Sequence, residues 1–120
     1  MGRLTPEEIE IRIAFTSLRQ KLGPNVEKPH KLLTQVGLAD LLNCSWSTVA
    51  RIETSGRADI ALKLKVKRIH NLIDAFEPPI PQHERLDFLT RPTEALLGCR
   101  PIAFMDNKET FEVAKRVLTS

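Results

Sequence analysis

Residues 34–57, TQVGLADLLNCSWSTVARIETSGR, constrain this chain more than any other stretch. Two short amphipathic segments flank a polar break, Asn43-Cys44-Ser45, which leaves room for nothing longer than a tight turn. The first segment offers Val36, Leu38, Ala39, Leu41 and Leu42 to a core, and the second offers Val49, Ala50 and Ile52. Small Ala39 lets two helices approach, and Val49 and Ile52 pin the second against the first. Ser47, Thr48 and Arg51 then fall on the opposite face. A helix-turn-helix needs this layout, because it leaves one helical face free to enter a DNA major groove.

The stretch resembles the Xre and phage-repressor class of helix-turn-helix. Thr34-Gln35 stands where that family opens its first motif helix, often with a Gln near phosphate. Ser45 through Glu53 is similar to its recognition helix, with a Glu near the end. Gly37 departs from the polar, helix-favouring residue expected there, at roughly 1 kcal/mol of helix propensity. The resemblance and the face pattern together predict DNA contacts from Gln35, Ser45, Trp46, Ser47, Thr48 and Arg51. Ser45 suits the N-cap of the second helix, a position that often also touches phosphate. Arg51 is able to pair with guanine or phosphate. Trp46 is the only tryptophan, and two readings of it stay open. It faces outward to a thymine methyl, a sugar edge or a protein partner, or it packs on the Ile60–Val66 segment.

The chain has 120 residues, enough for one small domain or two very small ones that share a core. Its formal charge of +3 and pI near 9.1 suit a nucleic-acid partner without requiring one. The basic excess is confined to residues 1–78, which hold 12 Lys and Arg against 9 Asp and Glu; residues 79–120 hold 6 of each kind. Lys63, Lys65, Lys67 and Arg68 form a basic run that reads either as a solvated helix face or as a phosphate-contacting patch. Cys44 and Cys99 form no CxxC pair, and no secretory signal precedes them, so both are expected reduced in a cytoplasmic protein. No apolar run approaches the ~18 residues of a membrane span. His30, His70 and His83 lie in three different elements, His70 is expected to be solvated or capping, and Glu94 and Asp106 read as surface carboxylates. No HExxH, P-loop or Gly-rich phosphate loop occurs, so neither enzymatic activity nor a metal or other cofactor is expected.

Elsewhere the spacing predicts helices throughout, and hence an all-α fold. Thr5-Pro6-Glu7-Glu8 is a helix start with a capping box. Ile9, Ile11, Ile13, Phe15, Leu18 and Leu22 follow, of which Ile11, Phe15, Leu18 and Leu22 give the clearest stripe. Gly23-Pro24 ends the helix, and residues 24–31 read as a loop. Gly56 suits the C-cap of the helix after the tight turn. Residues 60–69 alternate like a strand, but the stripe Leu62, Val66, Ile69, Leu72, Ile73 and Phe76 runs without a break, and its length favours one helix. The prolines at 78, 79 and 81 stop it and divide the chain into residues 1–78 and 79–120. Short elements follow: a helix from His83 to Leu89, turns at Thr93–Leu97 and Pro101–Met105, and a last helix from Asn107 to Leu118.

The segment from Leu86 to Ile102, LDFLTRPTEALLGCRPI, resembles the toxin-binding region of Xre/MbcA/ParS-type antitoxins. That family carries an aromatic-Leu pair, a Pro-x-x-x-Leu segment, a Gly, a Pro that opens a short helix, and then a helix with Val and Leu. Phe88 stands where the family commonly has Trp, and no glycine precedes the last helix. The resemblance covers roughly residues 69–118. It implies a helix-turn-helix bundle in residues 1–78 and a toxin-neutralising module in residues 79–120. It further implies a RES-domain toxin that uses NAD as partner, and repression of the protein's own operon. One helix-turn-helix buries little surface, so specific binding to operator DNA is expected to need a homodimer. The candidate toxin contacts are Phe88, Pro92, Leu96, Pro101, Phe104, Met105, Val113, Arg116, Val117 and Leu118, with an exposed apolar patch expected near Phe104, Met105 and the last helix. The alternative is a stand-alone repressor of the same class whose second half only dimerises. A third possibility is a protein-interaction module that no longer binds DNA.

Overall fold

The first helix, α1 (Pro6–Lys21), starts where Thr5 and Glu8 cap each other: the Thr5 hydroxyl accepts the Glu8 amide at 3.1 Å and the Glu8 carboxylate accepts the Thr5 amide at 2.8 Å. The computed structural model describes residues 3–23 and 32–120, so the loop expected over residues 24–31 lies outside the described residues. The α1 stripe Ile11, Phe15, Leu18 and Leu22 is buried, while Ile9 and Ile13 lie off it and are exposed. Thr34 caps α2 (Gln35–Leu42), which ends at Asn43 in the left-handed region. Ser45 caps α3 (Trp46–Ser55), and Gly56 closes it with φ +71°. The long helix α4 (Ile60–Asp74) confirms the helical reading of residues 60–69, because its 3.6-residue stripe, not the two-residue alternation, points at the core. Beyond the prolines come α5 (Gln82–Thr90), 3-10 turns at Glu94–Leu96 and Pro101–Phe104, and α6 (Lys108–Thr119), whose first turn is capped by Asn107. The fold is all-α; among the described residues the only strand-like feature is an isolated bridge between Thr93 and Cys99.

α3 packs on α1 and α2, and α4 closes the bundle against both of them. Leu38, Ala39, Leu41 and Leu42 face inward from α2, but Val36 is exposed, contrary to its expected core role. It sits two residues from Leu38, about 200° around the helix, and so points the other way. Gly37 has a packing reason: a Cβ there would stand 2.7 Å from Leu33 Cδ1, and Leu33 is buried under the first turn of α2. Residues on both sides of the prolines share one hydrophobic cluster, with Leu89, Met105 and Phe111 joining Phe15, Ile52 and Ile69. Polar ties reinforce the junction, since Arg85 donates to the Lys21 carbonyl at 3.2 Å and Arg68 to the Met105 carbonyl at 3.2 Å.

The basic run on α4 is neither a solvated face nor a phosphate patch as a whole. Lys65 is only 6% exposed and pairs with Asp106 at 2.9 Å, Lys63 pairs with Glu7 at 2.6 Å, and Arg68 is held by Met105. Lys67 alone of the four is exposed. Asp106 is thereby an inter-element partner and more than a surface carboxylate.

Gly56 is a close approach between the end of α3 and the start of α1. A Cβ at this position would lie 2.2 Å from the Glu8 carbonyl oxygen, a backbone atom that no side-chain rotation removes. Arg57 follows and donates to Glu8 at 2.8 Å, which holds that carboxyl below the usual carboxylate range. Gly56→Ala is expected to destabilise the protein by more than about 1 kcal/mol, because the left-handed conformation disfavours Ala and the clash adds to that cost. The denaturant midpoint checks this, and an unshifted midpoint contradicts it.

Candidate nucleic-acid interface

Glu53 is the third residue from the end of the recognition-like helix α3, and its carboxylate is the centre of a polar cluster between three helices. Arg19 Nη1 on α1 donates to both oxygens at 2.9 Å, and Thr16 Oγ1 donates to Oε2 at 3.2 Å. Both charged side chains are largely covered, at 17% and 11% exposure for Arg19 and Glu53. Arg19 also donates through Nε to the Leu33 carbonyl at 2.7 Å, while the Leu33 amide donates to the Arg19 carbonyl at 2.9 Å. The segment that enters α2 is thus stitched to α1 by the same arginine that clamps α3. Arg12 adds a further tie, from its Nε to the Glu53 carbonyl at 2.9 Å.

Gln35 extends the cluster outward. Its Nε2 donates to Glu53 Oε1 at 2.9 Å, and its Oε1 accepts from Trp46 Nε1 at 3.1 Å. Gln35, expected near phosphate, thus bonds on both sides within the protein. The amide is half-buried between a carboxylate that only accepts and an indole that only donates. Trp46 itself is 55% exposed and stands outside the hydrophobic cluster, so of its two sequence readings the outward one matches the structure.

The other expected residues lie at the Ser45 cap and along α3. Ser45 Oγ accepts the Thr48 amide at 3.2 Å as the N-cap, and lies 3.1 Å from Ser47 Oγ and 2.8 Å from Thr48 Oγ1. Ser47 and Arg51 are exposed and Thr48 is half-buried. Arg51 makes no ion pair among the described residues. The helix therefore presents hydroxyls, an indole and a guanidinium on one face, while Val49 and Ile52 hold the opposite face in the core. An open groove of about 370 Å³ adjoins Glu53 on the side of Ile9, Arg12 and Ile13.

Titratable groups near the bundle are structural. His70 is half-buried and its Nε2 meets the Ala14 carbonyl at 2.9 Å, which corrects the solvated or capping role expected for it. Burial pushes its pKa below the ordinary value, and the bond to Ala14 offsets part of that effect. Burial, and then the field of Asp59, pushes the Cys44 thiol up. Cys99 is exposed and unbridged. His30 lies outside the described residues. Among the described residues, no three His, Cys, Asp or Glu side chains group as a metal site would need, and no helix is long and apolar enough to cross a membrane.

The ten residues expected to contact a toxin separate into three sets. Leu96, Pro101 and Met105 are buried, Met105 completely, which corrects the expectation that Met105 lies in an exposed patch. The 3-10 turn at 101–104 aims Met105 at α4, where the Arg68 guanidinium holds its carbonyl. Phe88, Phe104 and Leu118 are half-buried, with Phe88 set edge-to-face on Phe76 at 5.1 Å. Pro92, Val113, Arg116 and Val117 face outward. Sequence reasoning did not single out Leu97, which is 95% exposed and left-handed at φ +58°. The only sequence signal for it was its place directly before Gly98 in a tight loop.

Comparison with family models, with curated proteins and with solved structures returns no match for this chain.

Glu53→Ala is expected to cost about 3 kcal/mol, since it strands a covered guanidinium and frees one end of Gln35. Urea denaturation measures the loss. A loss under about 1 kcal/mol, the range of an exposed pair, contradicts the central role given to this carboxylate.

Proposed function

We propose that this protein is the antitoxin of a type II toxin–antitoxin pair, a non-enzymatic cytoplasmic repressor of its own operon that also neutralises a RES-domain toxin by direct binding. The observation that carries the DNA half is the outward set Trp46, Ser47 and Arg51, with half-buried Thr48 between them, on a helix whose other face is locked into the bundle. That arrangement matches what a recognition helix must present to a major groove. One such helix covers too little surface for specific binding. The proposal therefore includes a homodimer on half-sites about 34 Å apart, or a multiple of that.

The toxin half rests on the resemblance of residues 69–118 and on the outward apolar groups of the second half, Leu97, Val113 and Val117. Arg116 beside them supplies a cation for an anion-binding pocket such as one for a dinucleotide. The same valines, one helical turn apart, support a second reading in which α6 joins two copies of a stand-alone repressor. A neighbouring reading frame of RES type favours the first reading and its absence the second.

Two measurements test the proposal. Binding of wild type and Arg51→Ala to promoter DNA of the protein's own operon is compared across a salt series. Wild-type affinity is expected to fall steeply with salt as counterions are released, and Arg51→Ala to bind about 1–3 kcal/mol more weakly. Equal affinities, or no salt dependence, remove Arg51 from the reading surface. For the toxin half, substitution is cleaner than truncation, because α6 also supplies Phe111 and Ala114 to the core. Val113→Asp with Val117→Asp, co-expressed with the neighbouring gene product, is expected to lose growth rescue and co-purification while the thermal midpoint is kept. Retained rescue and retained co-purification contradict the placement of the toxin contact on α6.

A further inference from the structure

We infer that Trp46 reads the 5-methyl group of thymine in the major groove, and that Gln35 is the residue that positions it. The inference rests on the DNA-binding reading above and specifies what that surface recognises.

Trp46 is the first residue of α3, directly after the Ser45 cap, at the end of a recognition helix that approaches base edges. An indole has one polar group, the Nε1–H, and it can only donate. Here that donor is taken by Gln35 Oε1 at 3.1 Å. Only one orientation of the Gln35 amide satisfies both neighbours, with oxygen toward the indole and nitrogen toward the Glu53 carboxylate at 2.9 Å. Glu53 is in turn clamped by Arg19 at 2.9 Å. A chain of hydrogen bonds anchored in α1 thus sets the angle at which the ring leaves the surface.

The consequence for recognition is chemical. Trp46 is 55% exposed, and once its Nε1–H is bound to Gln35 the indole ring offers carbon edges and faces with no further hydrogen-bonding group. It is unable to read the donor and acceptor pattern of a base. In the major groove the one apolar group that base edges offer is the thymine methyl, which cytosine lacks. Because the ring is held before DNA arrives, little rotational freedom is lost on contact. Ser47, Thr48 and Arg51 beside it retain their polar groups for hydrogen bonds to bases and phosphates.

Uracil is thymine without its methyl, so the test is a set of promoter fragments in which each thymine is replaced by uracil in turn. Wild-type protein is expected to bind about four-fold more weakly at one position in each half-site, the value of one buried methyl group. Trp46→Ala is expected to bind more weakly overall and to show no difference between thymine and uracil at that position. Gln35→Leu is expected to reduce the discrimination as well. It should also change the emission of Trp46, which is readable because the chain has one Trp and no Tyr. Trp46→Phe, which keeps an exposed ring and lacks the N–H, gives the same loss of discrimination in a variant that leaves the core untouched. Uracil tolerated everywhere by wild type, with salt-dependent binding intact, overturns the methyl inference and leaves the DNA reading standing. Uracil sensitivity that survives in Trp46→Ala assigns the methyl to another residue and also overturns it. Full discrimination in a folded Gln35→Leu overturns the positioning role. Absence of salt-dependent binding to any promoter fragment overturns both this inference and the reading beneath it.

Discussion

The ion pair between Arg19 and Glu53 joins the three helices on which everything else in the bundle depends. Its strength comes from geometry: one guanidinium nitrogen reaches both carboxylate oxygens at 2.9 Å, and both side chains are largely shielded from water. Its structural value comes from what else the two groups hold. Arg19 fixes the entry to α2 through Leu33, and Glu53 orients Gln35 and through it Trp46. Apolar packing alone would hold α3 against α1 through Val49 and Ile52, but it would leave rotation about the helix axis loosely set. The hydrogen bonds set it, and with it the direction of the exposed face.

The second half of the chain depends on the first in the same mixed way. Leu89, Met105 and Phe111 extend the hydrophobic cluster across the prolines, while Lys65–Asp106, Arg68 to the Met105 carbonyl and Lys115–Asn71 place its elements along α4. Three of the four cations that look like a nucleic-acid patch in the sequence, Lys63, Lys65 and Arg68, are therefore assembly contacts. Arg51, by contrast, is exposed and makes no ion pair among the described residues.

Local chemistry was legible in the sequence. The Thr5 capping box, the Ser45 cap, the Gly56 C-cap and the Ile11–Leu22 stripe depend on neighbours within one or two helical turns, and each stands as read. So does the single helix across residues 60–74, where an uninterrupted stripe outweighed a local alternation. What escaped the sequence depends on distant partners. Lys65 is buried because Asp106, 41 positions later, reaches it, and Gln35 is drawn inward because Glu53 has acceptor capacity left over. In the second half the 3-10 turns have no 3.6-residue period from which to read a face. Leu96 and Met105 turn inward and Leu97 outward, with nothing in their composition to separate them.

The most direct measurement is amide hydrogen exchange of the intact protein with and without a promoter duplex. Slowed exchange over residues 45–51 and at the start of α2, with α6 unchanged, is the expected result for a bundle that presents α3 to DNA. Slowed exchange confined to α6, or no change at α3 under conditions where the duplex binds, would contradict it.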